Sequence, residues 1–301
     1  MKTAGKGKYR RAERLEWFWG YLLILPNFIG FTIFFAIPVF FGLVVSTTNY
    51  NGFRLFDFVG FSNFIQLFRD QFFIIALKNN LFYSLVYVPL VIFFALIFAL
   101  AIDRIKLFNG LFRTIYYFPS ITSIVAIGIV WAMIMHPSNG PLNAFLMFIG
   151  IQNPPRWIAA SSTALISIII VMAWKNAGYY MIMFLGGLKI IPSQLYEAAR
   201  LDGANSWQVF VRITWPMLSP ITFMVFIFCF ISSFQVFDAI NIMTQGGPGT
   251  ATTIIVLRIF QEGFTGFRFG YASAMAYFLF LIIMVITLLQ FLGQKKWVNY
   301  E

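Results

Sequence analysis

Long apolar runs, repeated along the chain, leave this sequence very few folds. About 20 apolar residues in helix cross the hydrocarbon of a bilayer, where each backbone N–H and C=O must find its partner within its own segment. Six stretches reach that length, at about 19–46, 81–102, 114–135, 163–188, 217–243 and 271–293. The runs are continuous, without the alternation and frequent turns of a membrane β-barrel, so helices are expected. Of the 301 residues 60% are hydrophobic and 10% charged, outside the range of soluble domains. The first run is too long for the apolar core of a cleaved signal peptide, and no small-residue cleavage site follows it. The expectation is therefore an all-α polytopic membrane protein with six transmembrane helices, the first retained as an anchor.

The net charge of +11 is explained by topology rather than by nucleic acid. With the amino terminus inside, fourteen lysines and arginines fall on inner segments, six of them in the tail, and six fall outside (Arg54, Arg69, Lys78, Arg156, Arg258 and Arg268). The implied organisation is a basic cytoplasmic tail (1–18), a first span (19–46), an extracytoplasmic segment (47–80), a core of five spans (81–293) with a long inner loop (189–216), and a cytoplasmic end (294–301). Both termini lie inside. The basic tail can also touch anionic lipid head groups.

Several chemistries are excluded. No GxxxxGK[ST] loop occurs, and the Gly5-Lys6-Gly7-Lys8 tail has neither its spacing nor a preceding strand, so no nucleotide is bound by that route. His136 is the lone histidine, at a predicted span end, and there is no Cys/His cluster or HExxH helix for a metal. Cys229 has no partner for an internal disulfide and reads as a packing residue. No acid lies deep inside a predicted span; Asp103 and Asp238 fall near ends. Lys175 is the one cation well within a span, and Trp174, Asn176, Tyr179 and Tyr180 around it point to a polar cavity.

The loops carry further structure. A short interfacial helix is expected within 47–80, and another at about Pro141–Phe148, too short to span. Gly246, Gly247, Pro248 and Gly249 allow a tight outer turn beside Gln235, Asp238, Asn241 and Thr244, either a flexible linker or the shaped mouth of a pathway. In the inner loop, Ser193 is the expected cap of a helix over about Gln194–Leu201, which Asp202-Gly203 stops. Asn205 or Ser206 then caps a second helix, with Val209, Phe210 and Ile213 on its apolar side, until Pro216 opens the fifth span. A helix about 12 Å long is unstable alone in water and has to lie against something. Its slim alanines suit a groove in another protein.

These residues resemble a known pattern. Glu197-Ala198-Ala199, Asp202-Gly203-Ala204, Phe210, Ile213, Pro216 and Pro220 are similar to the EAA loop of permease subunits of binding-protein-dependent ABC importers. Gly60-Phe61-Ser62-Asn63-Phe64, Gly140-Pro141-Leu142-Asn143, Thr244-Gln245-Gly246-Gly247-Pro248 and Gly270-Tyr271-Ala272-Ser273-Ala274 resemble the carbohydrate-uptake branch, which takes oligosaccharides, polyols and glycerol-phosphate compounds. The resemblance implies a type I ABC importer permease fold with a cytoplasmic coupling helix, in the cytoplasmic (inner) membrane of a bacterium or archaeon. It implies a second permease subunit, as a heterodimer, two ATPase subunits that hold the ATP and magnesium, and an extracytoplasmic solute-binding protein. This chain would then be no enzyme and bind no cofactor. Glu197, Ala198, Ala199, Asp202, Gly203 and Ala204 would couple to the ATPase. The extra helices and large outer domain of some maltose-type permeases are missing before the first span.

For a sugar, aromatic faces stack on pyranose rings and amides bond hydroxyls. The candidate pathway residues are Lys175, Asn176, Tyr179, Tyr180, Gln235, Asp238 and Asn241. The competing reading is a secondary transporter or channel acting alone, which calls for membrane-embedded acids or an internal repeat. An intramembrane enzyme ranks last, since no nucleophile and base pair is present.

Overall fold

The computed structural model describes residues 4–53, 57–105 and 107–298. Lys2, Arg54 and Lys106, and the side chains of the other tail cations, lie outside what is described, so the charge asymmetry rests partly on them. The described chain is helical, and a single β-bridge joins Thr48 to Phe58.

Helix α1 (Ala4–Phe31) passes through a π turn at Thr32–Ala36 into α2 (Ile37–Ser46). After α3 (Ser62–Leu67), α4 runs Gln71–Arg104. It begins well before the predicted start at 81, because Asp70 caps it by accepting the N–H groups of Phe72 at 2.9 Å and Phe73 at 3.3 Å. The predicted outer segment 47–80 therefore ends in helix.

The third predicted span, 114–135, is not one helix. It divides into α5 (Asn109–Ile121) and α6 (Ile124–Ile134), bent by 92°. Thr122 and Ser123, just past Pro119, are extended with ψ of 144° and 129°, which ends α5. Helix α7 (Pro141–Phe148) matches the expected short helix, and α8 runs Ala164–Ile190. Then come α9 (Ser193–Leu201), α10 (Ser206–Val209), a π turn at Phe210–Thr214 and α11 (Trp215–Met217).

The fifth predicted span, 217–243, is also interrupted. Helix α12 (Ser219–Phe234) lies at 65° to the Ser206–Met217 stretch, and Gln235–Phe237 separates it from α13 (Asp238–Met243). Helix α14 (Ile255–Phe260), a π turn at Gln261–Thr265 and α15 (Phe269–Gln294) complete the chain. Among the described residues four helices are long and apolar enough to cross a membrane, or up to six when each bent pair counts as one span.

Helix α8 is the centre, with 61% of its apolar window buried against 6% for the Leu15–Ser46 helix. Fully buried Ala95 and Ala99 on α4 and Ala173 and Ala177 on α8 let these helices approach closely. Gly187 of α8 sits against Leu218 and Ile221, bringing in α12. Helix α2 leans on α15, where the Tyr277 hydroxyl donates to the carbonyl of Val39.

Candidate functional site

Pro192, at φ −60° and ψ 132°, turns the chain out of α8 into α9. The expected serine cap is not formed. Pro192 holds the cap position, Ser193 is the first helical residue, and no side-chain bond is made there. At the other end, the N–H of Gly203 donates to the carbonyl of Arg200 (3.1 Å) and that of Ala204 to Ala199 (2.9 Å), closing the last turn. Gly203 has the expected left-handed φ, +74°, and a Cβ there would meet nothing within 4 Å. Asn205 and Gln208 cap α10 reciprocally, each backbone N–H donating to the other's side-chain oxygen at 2.9 Å.

Of α9 only Ala199 is buried, and Tyr196 is half-buried, its hydroxyl 3.3 Å from Thr214 Oγ1. Glu197, Ala198, Arg200, Asp202 and Gly203 are exposed, Ala204 is half-buried, and Leu201 is 90% exposed. Behind α9 lies a cavity of about 1200 Å³ with an apolar wall of Phe93, Leu96, Ile97 and Leu100 from α4 and Asp103, Glu197 and Arg200 among its polar lining. Asp103 pairs with Lys189 at 2.8 Å, an exposed contact of small energetic weight.

The seven pathway candidates divide into two sets. Lys175 is buried rather than open to solvent. It is 7% exposed and its Nζ donates to the carbonyl of Ser120 at 3.0 Å. Asn176 donates to the Tyr87 hydroxyl at 2.8 Å, and buried Tyr180 brings its hydroxyl to 3.5 Å from Ser232 Oγ on α12. By contrast Tyr179 is 48% exposed, Gln235 and Asp238 are exposed at the α12–α13 break, and Asn241 is half-buried.

Ser120, Tyr87 and Ser232, and Asn79 and Asn80 of α4, are functional positions that the sequence motifs do not single out. Asn79 donates to the carbonyls of Thr250 (3.0 Å) and Thr253 (2.9 Å). Fully buried Asn80 donates to Ser233 O and accepts the N–H of Ile255 at 3.0 Å. With Thr252 and Thr253 bonded to the carbonyls of Gly247 and Gly246, the outer turn is pinned to α4 rather than a free linker. The available signal was polar spacing: Asn79, Asn80, Tyr83, Ser84 and Tyr87 recur three and four apart in an apolar run.

The profile of the family described as binding-protein-dependent transport system inner membrane component matches residues 91–298. The chain is 38% identical to the probable ABC transporter permease protein YesP of Bacillus subtilis (strain 168), over 98% of this chain and 96% of that one. It is 34% identical to the lactose transport system permease protein LacF of Rhizobium radiobacter, over 98% and 99%. Among solved structures, a bacterial alginate ABC transporter in complex with alginate pentasaccharide-bound periplasmic protein aligns with a TM-score of 0.83 at 27% identity, covering 93% of this chain and 94% of that one.

Proposed function

The chain belongs to the family of binding-protein-dependent transport system inner membrane components, with the fold of an ABC importer permease, and from that premise we propose that it forms half of the translocation pathway of an ATP-driven sugar importer. The cargo class is an oligosaccharide or a related polyol or glycerol-phosphate compound. A second permease subunit supplies the other half, two ATPase subunits inside hold ATP and magnesium, and a solute-binding protein delivers the sugar outside. Both termini face the cytoplasm of a bacterium or archaeon.

The observation that carries this reading is the form of α9. A nine-residue helix that buries Ala199 and half-buries Tyr196, and presents a 90% exposed leucine at its end, has little holding it in this chain alone. It suits the cleft of another protein, and Glu197, Ala198, Ala199, Asp202, Gly203 and Ala204 are the residues we assign to ATPase coupling. ATP-driven closure of the ATPases then displaces α9, and the spans answer by opening alternately inward and outward. Tyr179, Gln235, Asp238 and Asn241 are the pathway candidates with open faces for a sugar.

Gly203 tests the coupling role. A residue with a Cβ at φ +74° is disfavoured by about 1–2 kcal/mol, and least so for asparagine. Gly203→Val is expected to assemble with the ATPases yet lose sugar-stimulated ATP hydrolysis, with Gly203→Asn near wild type. Full stimulation and uptake by Gly203→Val would refute the role. Uptake by this chain alone in liposomes on an ion gradient would instead establish the stand-alone transporter.

A further inference from the structure

We propose that Lys175 is a positioning residue rather than a sugar ligand: its ammonium caps the carboxyl end of α5 and thereby fixes the α5–α6 break and the setting of Tyr179. The inference deepens the transport reading above and rests on it.

The last four carbonyls of a helix have no partner within the helix, and they carry the negative end of its dipole. In α5 that end falls in the middle of an apolar run long enough to cross a bilayer, where unpaired carbonyls are costly. One of them, that of Ser120, receives Lys175 Nζ at 3.0 Å. Among the described residues no carboxylate lies within 4.0 Å of Lys175. A buried ammonium without compensation costs several kcal/mol, so the two needs answer each other. The carbonyl end of α5 supplies the counter-charge for the lysine, and the lysine caps that end.

The joint is reciprocal. Ser120 Oγ donates to the carbonyl of Lys175 at 2.8 Å and accepts the N–H of Tyr179 at 3.1 Å. Between them, Gly178 lets the two backbones touch, since a Cβ there would stand 2.0 Å from the carbonyl oxygen of Tyr116. Tyr179 thus takes its place directly from the joint, and its ring is the exposed one of the α8 candidates. In transporters with broken helices, carboxyl ends of half-helices commonly hold a coupling cation. Here a cation tethered to α8 takes that position, so a truncated lysine leaves a gap shaped for a small ammonium ion.

The test uses the assembled complex in proteoliposomes, reading sugar-stimulated ATP hydrolysis in Lys175→Met, Lys175→Arg and Lys175→Ala. Loss of one charge-assisted hydrogen bond predicts a fall in maximal rate of about tenfold for Lys175→Met, with Lys175→Arg recovering most of it. Adding ammonium or methylammonium chloride is expected to raise Lys175→Ala severalfold and to leave Lys175→Met unchanged. Wild-type stimulation in Lys175→Met would overturn the proposal, and so would a changed sugar preference at unchanged maximal rate. If neither Lys175→Met nor Lys175→Ala assembles, assembly of Lys175→Ala in methylammonium chloride decides, because the added cation can take the place of the ammonium at the Ser120 carbonyl; recovery supports the cap and its absence would overturn it. Failure of the transport reading itself is distinguishable, since the wild-type complex would then show no ATP-driven uptake.

Discussion

At the scale of single residues, two glycines of this chain do opposite things. Gly203 is needed for its backbone angle and has empty space around it, whereas Gly178 sits in ordinary helix and is needed for its missing side chain. An alanine at 178 would place Cβ 2.0 Å from a backbone oxygen of α5, so the helices must separate. Overpacking of this kind costs about 1–3 kcal/mol. Gly178→Ala is therefore expected to lower the melting temperature of the solubilised protein. Gly186→Ala is the control on the same helix, since its Cβ meets nothing within 4 Å, and the better helix former is expected to be neutral or slightly stabilising. Equal melting temperatures for the two variants would remove the close contact of α5 with α8. Gly203 was legible in the sequence because Asp-Gly after a short helix is a local signal. Gly178 was not, because its role depends on a chain segment some sixty residues away meeting it.

Elements were legible where their signals are local. The first helix of the inner loop is legible to within a residue, since proline and glycine punctuate it, whereas the second, expected to run on to Pro216, starts at its asparagine cap but passes after four residues into a π turn. The third and fifth spans read as continuous because hydropathy sums apolar side chains and is blind to backbone bonds satisfied by a neighbouring helix. Ser120 and Lys175 meet across such a break, so the pairing could not be read from either run. The outer turn follows the same rule, with its glycines legible and its anchor on α4 hidden. Asn80 is the sharpest test of that anchor. Its Oδ1 accepts the buried N–H of Ile255, and leaving that donor unpaired costs about 1–3 kcal/mol. Asn80→Ala is expected to lower thermal stability and to open the 244–255 region to protease from the outer side. Asn79→Ala, which loses two bonds from a half-buried site, is expected to loosen the turn with a smaller stability cost. A turn equally protease-resistant in both variants would show that it is held by its own bonds alone.

For the whole molecule, the helices set the distance between the two working ends. Asp103 of α4 pairs with Lys189 of α8, so both helices finish at the end from which α9 departs. The start of α4 lies at the other end, where Asp70 accepts the Tyr271 hydroxyl at 2.8 Å and faces Arg258, itself bonded to Glu262. From Asn80 to Asp103 the rise of a helix gives about 35 Å, a little more than the hydrocarbon of a bilayer. Leu201 and Thr265, both exposed, should therefore lie on opposite faces of the membrane. The chain's single cysteine, Cys229, is fully buried and leaves a silent background for labelling. With a membrane-impermeant maleimide, Leu201→Cys is expected to react in inside-out vesicles and Thr265→Cys in right-side-out ones. Labelling of both from one side would contradict the span arrangement. In the assembled importer the ATPase subunits should protect Leu201→Cys and leave Thr265→Cys reactive. Equal reactivity of Leu201→Cys with and without the ATPases would show that α9 docks elsewhere, because a leucine 90% exposed in this chain alone can be shielded only by another one.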